Sequence, residues 1–199
     1  MAEQSVRLGV IGAGNMATAL VRGLCSDGTV DPAAVWVSSP SGPRRAVADT
    51  GVNCTRDNAE VARHADVLIL AVKPYVMASA VASIAAALRP STLIISVAAG
   101  ISVAQLSAML GAGGAWRIVR VMPNTPAAIG QGASAMCLGS LATAADADVA
   151  SRLFQAVGTV EMVGEAMMDG AVGARQRGAP SIASPELTLP LSAPARAQS

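Results

Sequence analysis

The 199-residue sequence is 52% hydrophobic, only 2% aromatic, and carries a formal net charge of +1. That length holds one ordinary domain and part of a second. So few aromatic rings leave little for bases to stack on, and a charge near zero gives no basic field, so no nucleic-acid partner is expected.

Taken in chain order, MAEQSVRLGVIGAG has neither the basic start nor the cleavage site of an export signal, and its apolar run Val6–Ile11 reads as a strand buried on both faces. Ala17, Leu20, Val21 and Leu24 then recur at helical spacing up to Gly28. Val35–Ser38 reads as a strand, Pro43–Thr50 as a helix, Val67–Val72 as a strand, Tyr75–Leu88 as a helix and Thr92–Val97 as a strand. Ser102 is a candidate N-cap for a helix through Leu110, and Ile118–Val121 is a further strand. Gly132–Leu138 and Thr159–Val163 read as later strands flanking a helix from Thr143 to Val157. Residues 90–116 are uncharged, but Pro90, Ser91, Ser96, Gln105, Ser107 and several glycines interrupt them, so a strand and a helix are expected rather than a membrane span.

Strands alternating with helices imply right-handed crossovers and a doubly wound α/β fold of Rossmann type, with a mostly parallel sheet over residues 1–169. Residues 170–199 include Pro180, Pro185, Pro190 and Pro194 among Ser, Ala, Arg and Gln with no apolar stripe, which predicts a disordered tail. Cys25, Cys54 and Cys137 are far apart and form no CxxC pair, and His64 is the only histidine. The expectation is three small buried thiols, a solvated histidine, no metal, and a reduced cytoplasmic setting.

The turn Gly12-Ala13-Gly14-Asn15-Met16-Ala17 carries the chemistry. A dinucleotide's pyrophosphate needs backbone N–H groups at the start of a helix, where the helix dipole favours negative charge. Gly12 permits the tight turn, Gly14 keeps a Cβ out of the way, and Ala17 takes the place of the third glycine while still allowing close packing. About twenty residues beyond the glycines, where NAD-binding proteins carry an acid, stand Ser38 and Ser39, then Arg44 and Arg45, with no acid until Asp49. That favours NADPH, with NADH possible; otherwise the two arginines merely solvate a helix start. Lys73, the only lysine, ends a strand and precedes Pro74, either at the cofactor crevice or simply reaching water. Ala98-Ala99-Gly100 and Met122-Pro123-Asn124-Thr125-Pro126 end the next strands, and the two prolines stiffen the latter loop, which either holds an amide and a hydroxyl near a nicotinamide or is a rigid connector.

GAGNMA at Gly12–Ala17, AVKP at Ala71–Pro74, SVAAGI at Ser96–Ile101 and RVMPNTPAAIGQG at Arg120–Gly132 together resemble pyrroline-5-carboxylate reductase, in order and in register from about Val6 to Asp169. The resemblance implies hydride transfer from NAD(P)H to the C=N bond of 1-pyrroline-5-carboxylate, giving L-proline. By position it implies that Gly12, Gly14, Asn15 and Met16 cradle the pyrophosphate. Ser39 with Arg44 or Arg45 would meet the ribose phosphate, and Asn58 would lie near the adenosine half. Ala71, Val72, Lys73 and Pro74 would pass along the cofactor, and Ala99, Met122, Pro123 and Asn124 would line the nicotinamide side. In the family, the stretch matching Met167–Asp169 opens a helical domain that supplies the substrate pocket and the dimer interface. The residues here do not resemble it, so catalytic residues are not assigned. The expectation is a frameshift or early stop after about Val172, cofactor affinity with little turnover, and loss of the family's homo-oligomer. A Rossmann reductase of β-hydroxyacid or prephenate type and a non-catalytic nucleotide-sensing module remain alternatives.

Overall fold

The computed structural model describes residues 6–42, 45–111, 115–124 and 132–168. Of the expected features, Arg44, Thr125, Pro126 and the segment 170–199 lie outside the described residues.

Eight strands form one sheet in the order β3-β2-β1-β4-β5-β6-β7-β8. They are β1 Leu8–Ile11, β2 Val35–Ser38, β3 Asn53–Thr55, β4 Val67–Leu70, β5 Leu93–Ser96, β6 Arg117–Pro123, β7 Gly132–Leu138 and β8 Gly158–Met162. The helices are α1 Asn15–Ser26, α2 Arg45–Ala48, α3 Asn58–His64, α4 Met77–Ile84, α5 Val103–Leu110 and α6 Ala144–Gln155. Strands β1 to β6 pair in parallel, β7 runs antiparallel to β6, and β8 runs parallel to β7. The mostly parallel doubly wound sheet is therefore present.

Alternation along the strands sorts the core into two layers. Leu8, Val10, Val67 and Ile69 face a cluster with Leu20, Val21 and Leu24 of α1 and Leu153 and Phe154 of α6. Ile11, Leu68, Leu70 and Ile94 face the opposite cluster with Val61 of α3, Val81 and Ile84 of α4, and Leu106 of α5. β1 and β4 have no exposed residue, as continuous apolar runs in a sheet covered on both faces require. Each Leu or Val buried this fully contributes about 1.5–3 kcal/mol of transfer free energy.

Helix starts follow side-chain chemistry. Ser102 and Gln105 form a reciprocal capping box at α5, and Thr143 with Asp146 does the same at α6. At the amino-terminal edge of the sheet, the Asp66 carboxylate accepts from Arg7 at 2.9 and 2.8 Å and from Arg89 at 2.8 Å, joining the chain before β1 to the segment between α4 and β5. These guanidinium groups, Arg7 foremost, hold the Asp66 carboxyl down at about 2.

Several sequence expectations are corrected in extent. The helix expected over 75–88 is a short 3₁₀ turn, Pro74–Val76, followed by α4, and of the one expected over 43–50 the described residues hold α2, which ends at Ala48 in a turn. β3 was not foreseen. Of the cysteines expected to be buried, Cys137 is buried, Cys25 is half-buried and Cys54 is exposed on the edge strand β3.

Candidate cofactor crevice

The chain leaves β1 through α1 toward β2, and leaves β4 through α4 toward β5, so the strand order reverses between these two neighbours. In open α/β sheets ligands bind beyond the carboxyl ends of the strands at such a switch point, which makes this edge the candidate cofactor crevice. The glycine turn, Ser38-Ser39, Ala71–Pro74, Ala98–Gly100 and Met122–Asn124 all lie at or just beyond the carboxyl ends of parallel strands and share this edge.

Gly12 has φ of +101°, and a Cβ built on it would stand 2.7 Å from the Ala71 carbonyl oxygen. Its N–H donates to the Ser38 carbonyl at 2.9 Å, and the Ala71 N–H donates to the Ile11 carbonyl at 2.8 Å. The turn is thereby fastened to both neighbouring strands. Gly14 has different surroundings. It is the N-cap residue of α1 in extended backbone, φ −71°, with no side-chain cap, and nothing lies within 4 Å of the Cβ it lacks. An uncapped helix start facing open space is where an anion gains both N–H donors and a favourable dipole. Asn15 is exposed and Met16 half-buried at this entrance, while Ala17 is buried against the sheet.

Ser39 continues from β2, its N–H donating to the Thr55 carbonyl at 3.2 Å and its hydroxyl 3.3 Å from that of Ser41. Asn58 opens α3. Its Oδ1 accepts from the Ser38 hydroxyl at 2.6 Å and its Nδ2 donates to the Ser83 hydroxyl at 2.9 Å, so the half-buried Asn58 is built into the frame. Ala71 and Val72 are half-buried, and Lys73 and Pro74 are exposed. Lys73 supplies the N-cap backbone of the 3₁₀ turn, with its carbonyl accepting from Val76 at 2.9 Å. Ala99 is exposed beside Gly100.

On the β6 side the expected residues divide. Met122 is 9% exposed and packs with Cys137 and Met168, so its side chain belongs to a small apolar cluster under the helical turn 165–168. Pro123 and Asn124 remain half-buried. Asn124 closes the β6–β7 junction, its N–H donating to the Ala133 carbonyl at 3.1 Å while its Oδ1 accepts from the Ala133 N–H at 3.0 Å.

Sequence reasoning missed Ser38 and Ser83 as partners of Asn58, because nothing local in the chain relates positions 25 residues apart. It also treated Tyr75 as the first residue of a helix. Tyr75 is 86% exposed, directly after Lys73-Pro74 at the crevice edge. An isolated aromatic in so aromatic-poor a chain was the available signal. His64 is exposed, as expected, and its ring stacks on Trp36 with centroids 4.2 Å apart.

A cleft between α1 and α2, lined by Arg22, Cys25, Asp49 and Thr50, opens at the other end of α1 from the glycine turn. Burial pushes the Cys25 thiol up, which disfavours the reactive thiolate. Among the described residues no group of three or more His, Cys, Asp and Glu side chains is arranged to hold a metal ion, and no helix is long and apolar enough to cross a membrane.

Residues 7–100 match a family model described as NADP oxidoreductase coenzyme F420-dependent. A pyrroline-5-carboxylate reductase of Arabidopsis thaliana is 39% identical over 172 residues, which are 85% of this chain and 61% of that protein. The pyrroline-5-carboxylate reductase of Escherichia coli K12 is 35% identical over 169 residues, 84% of this chain and 62% of that one. Among solved structures, a Plasmodium falciparum pyrroline carboxylate reductase with NADP bound superposes with a TM-score of 0.76 at 30% identity, covering 86% of this chain and 64% of that one.

Proposed function

This chain is related to the pyrroline-5-carboxylate reductases over about three fifths of their length, and from that relationship we propose that it binds NADPH as the cofactor half of such a reductase. The reaction is transfer of hydride from the dihydronicotinamide to the imine carbon of 1-pyrroline-5-carboxylate, with a proton added at nitrogen to give proline. When bound, the cofactor supplies the hydride, and the residues described here hold and orient it.

The observation that carries the reading is the uncapped start of α1 behind Gly14, set at the switch point and fastened to β2 and β4 through Gly12. The open space at Gly14 fits a pyrophosphate, with Asn15 and Met16 beside it. Ser39, directly after β2, is assigned to the 2′-phosphate of NADPH, and the absence of an acid between Ser38 and Asp49 favours that phosphate over a free hydroxyl. Arg44 and Arg45 are assigned to the same phosphate from the sequence. Ala71, Val72, Lys73 and Pro74 flank the diphosphate path, and Ala99, Pro123 and Asn124 border the nicotinamide side, with Met122 contributing backbone. We assign the protein to the cytoplasm, where the reduced cofactor is available.

Titration of the purified chain with NADPH and NADH, followed by nicotinamide fluorescence and thermal unfolding, tests this. Saturation with NADPH at a hundred times its Kd adds about 2.7 kcal/mol to the unfolding free energy. A folded chain that binds neither nucleotide rejects the assignment, and tighter binding of NADH rejects the 2′-phosphate site.

A further inference from the structure

Five residues, Ala80 and Ser83 of α4, Asn58 of α3, Ser38 of β2 and Gly12 of the glycine turn, form a hydrogen-bond chain with a fixed direction. The Ser83 hydroxyl of α4 donates to the Ala80 carbonyl at 2.6 Å, so toward Asn58 it can only accept. Asn58 Nδ2 therefore faces Ser83, at 2.9 Å, and Asn58 Oδ1 faces the other way, where the Ser38 hydroxyl donates to it at 2.6 Å. Ser38 also gives its backbone carbonyl to the Gly12 N–H at 2.9 Å. One residue is thus shared by the glycine turn and the amide of Asn58.

We propose that Ser83 is a positioning residue for the adenosine half of the cofactor, acting through the orientation of the Asn58 amide. The proposal rests on the NADPH reading above, in which Ser39, next in the chain to the Ser38 that Asn58 holds, meets the 2′-phosphate, and it adds a residue of α4 that no sequence motif marks.

The physical reason is a near-degeneracy. A serine hydroxyl donates or accepts equally well, so Ser38 alone is satisfied by either flip of the Asn58 amide. Ser83, whose own proton is committed to the helix backbone, accepts only. It therefore selects the flip that presents Oδ1 to Ser38. The second Nδ2 hydrogen and the second Oδ1 lone pair of Asn58 then keep constant directions for a ligand. Losing the Ser83 oxygen restores the two-fold ambiguity and releases the side chain about its last torsion.

Ser83→Ala should raise the Kd for NADPH about three- to tenfold, the range of one net hydrogen bond. The same penalty should appear with adenosine 2′,5′-bisphosphate and not with reduced nicotinamide mononucleotide. Ser83→Thr, which keeps a hydroxyl on the same backbone, should return to within about twofold of the wild-type chain. Because the effect runs through Asn58, Ser83→Ala should add nothing in an Asn58→Ala background. An unchanged Kd for Ser83→Ala beside a wild-type chain that binds NADPH overturns the proposal. So does an undiminished penalty in the Asn58→Ala background, or equal weakening toward both half-cofactors. A folded wild-type chain without affinity for NADPH overturns the functional reading, and this proposal with it.

Discussion

Gly12 and Gly14 lie two positions apart in one turn, yet a methyl group meets different physics at each. At Gly12 it meets the Ala71 carbonyl oxygen at 2.7 Å on a backbone with φ of +101°. Gly12→Ala should therefore cost about 1–3 kcal/mol in stability, read as a lower melting temperature with or without nucleotide. At Gly14 nothing stands within 4 Å and φ is −71°. Gly14→Ala should leave the melting temperature within the effect of about 1 kcal/mol, the scale of a helix cap. It should weaken NADPH at least tenfold, about 1.4 kcal/mol, because the methyl takes the space assigned to the pyrophosphate. Equal loss of stability in both variants, or unaltered NADPH affinity in Gly14→Ala, contradicts the assignment. This division was legible in the residue types, since the fingerprint demands a turn glycine first and an approach glycine second. What was not legible was the orientation of Asn58 and the burial of Met122. Both depend on partners far away in sequence, Ser83 for the first and Cys137 and Met168 for the second.

Among the elements, β2 and β7 occupy the ranges expected from their apolar content, Val35–Ser38 and Gly132–Leu138. Ser102 and Thr143 cap the helices they were expected to begin. β3 escaped because Asn53-Cys54-Thr55 has no apolar alternation and sits at the sheet edge, where only one neighbour supplies backbone partners. The antiparallel direction of β7 was equally hidden, since strand direction is decided by the connection rather than by the strand's own residues. Asp66, at the amino-terminal end of the interior strand β4, gives a prediction for the elements it joins. Its folded-state carboxyl lies below the ordinary 3.8 at about 2, so the stabilisation it adds is fully present above about pH 4 and is lost as pH falls through about 2. The carboxylate is 45% exposed and Arg7 is 50% exposed, so screening holds the contribution to about 1 kcal/mol or less. Asp66→Asn should lower the melting temperature at pH 7, and by less in high salt, while the difference from the wild-type chain closes between pH 4 and pH 2. A difference independent of pH argues against the ion pairs as its source.

At the scale of the molecule, the last described turn is fastened back onto a helix that begins far earlier in the chain. Glu165 Oε1 accepts the Val103 N–H at 2.6 Å, satisfying a first-turn donor of α5, and stands 3.8 Å from the guanidinium of Arg120. Arg120 is 2% exposed on β6, on the sheet face that carries α5, so its charge is held in the interior with an acid brought from beyond β8. Removing one partner of such an arrangement leaves a buried charge less compensated and a helix-end donor without its acceptor. The 39% exposure of Glu165 lets water replace part of the loss. Glu165→Ala should therefore destabilise the chain by about 1–3 kcal/mol, and Glu165→Gln, which keeps an acceptor for Val103, by less. Hydrogen exchange distinguishes this tether from a general loosening. The Val103 amide and those of 165–168 should lose protection in Glu165→Ala, while the amides of β1 and β4 keep theirs relative to global unfolding. Uniform loss across the sheet would mean that Glu165 supports the whole core rather than this junction. The loop between β5 and α5, which carries Ala99 at the crevice, is anchored on its helix side by that bond, so loosening it should also weaken NADPH binding. An affinity unchanged in Glu165→Ala would show that the cofactor edge is held by the strands alone.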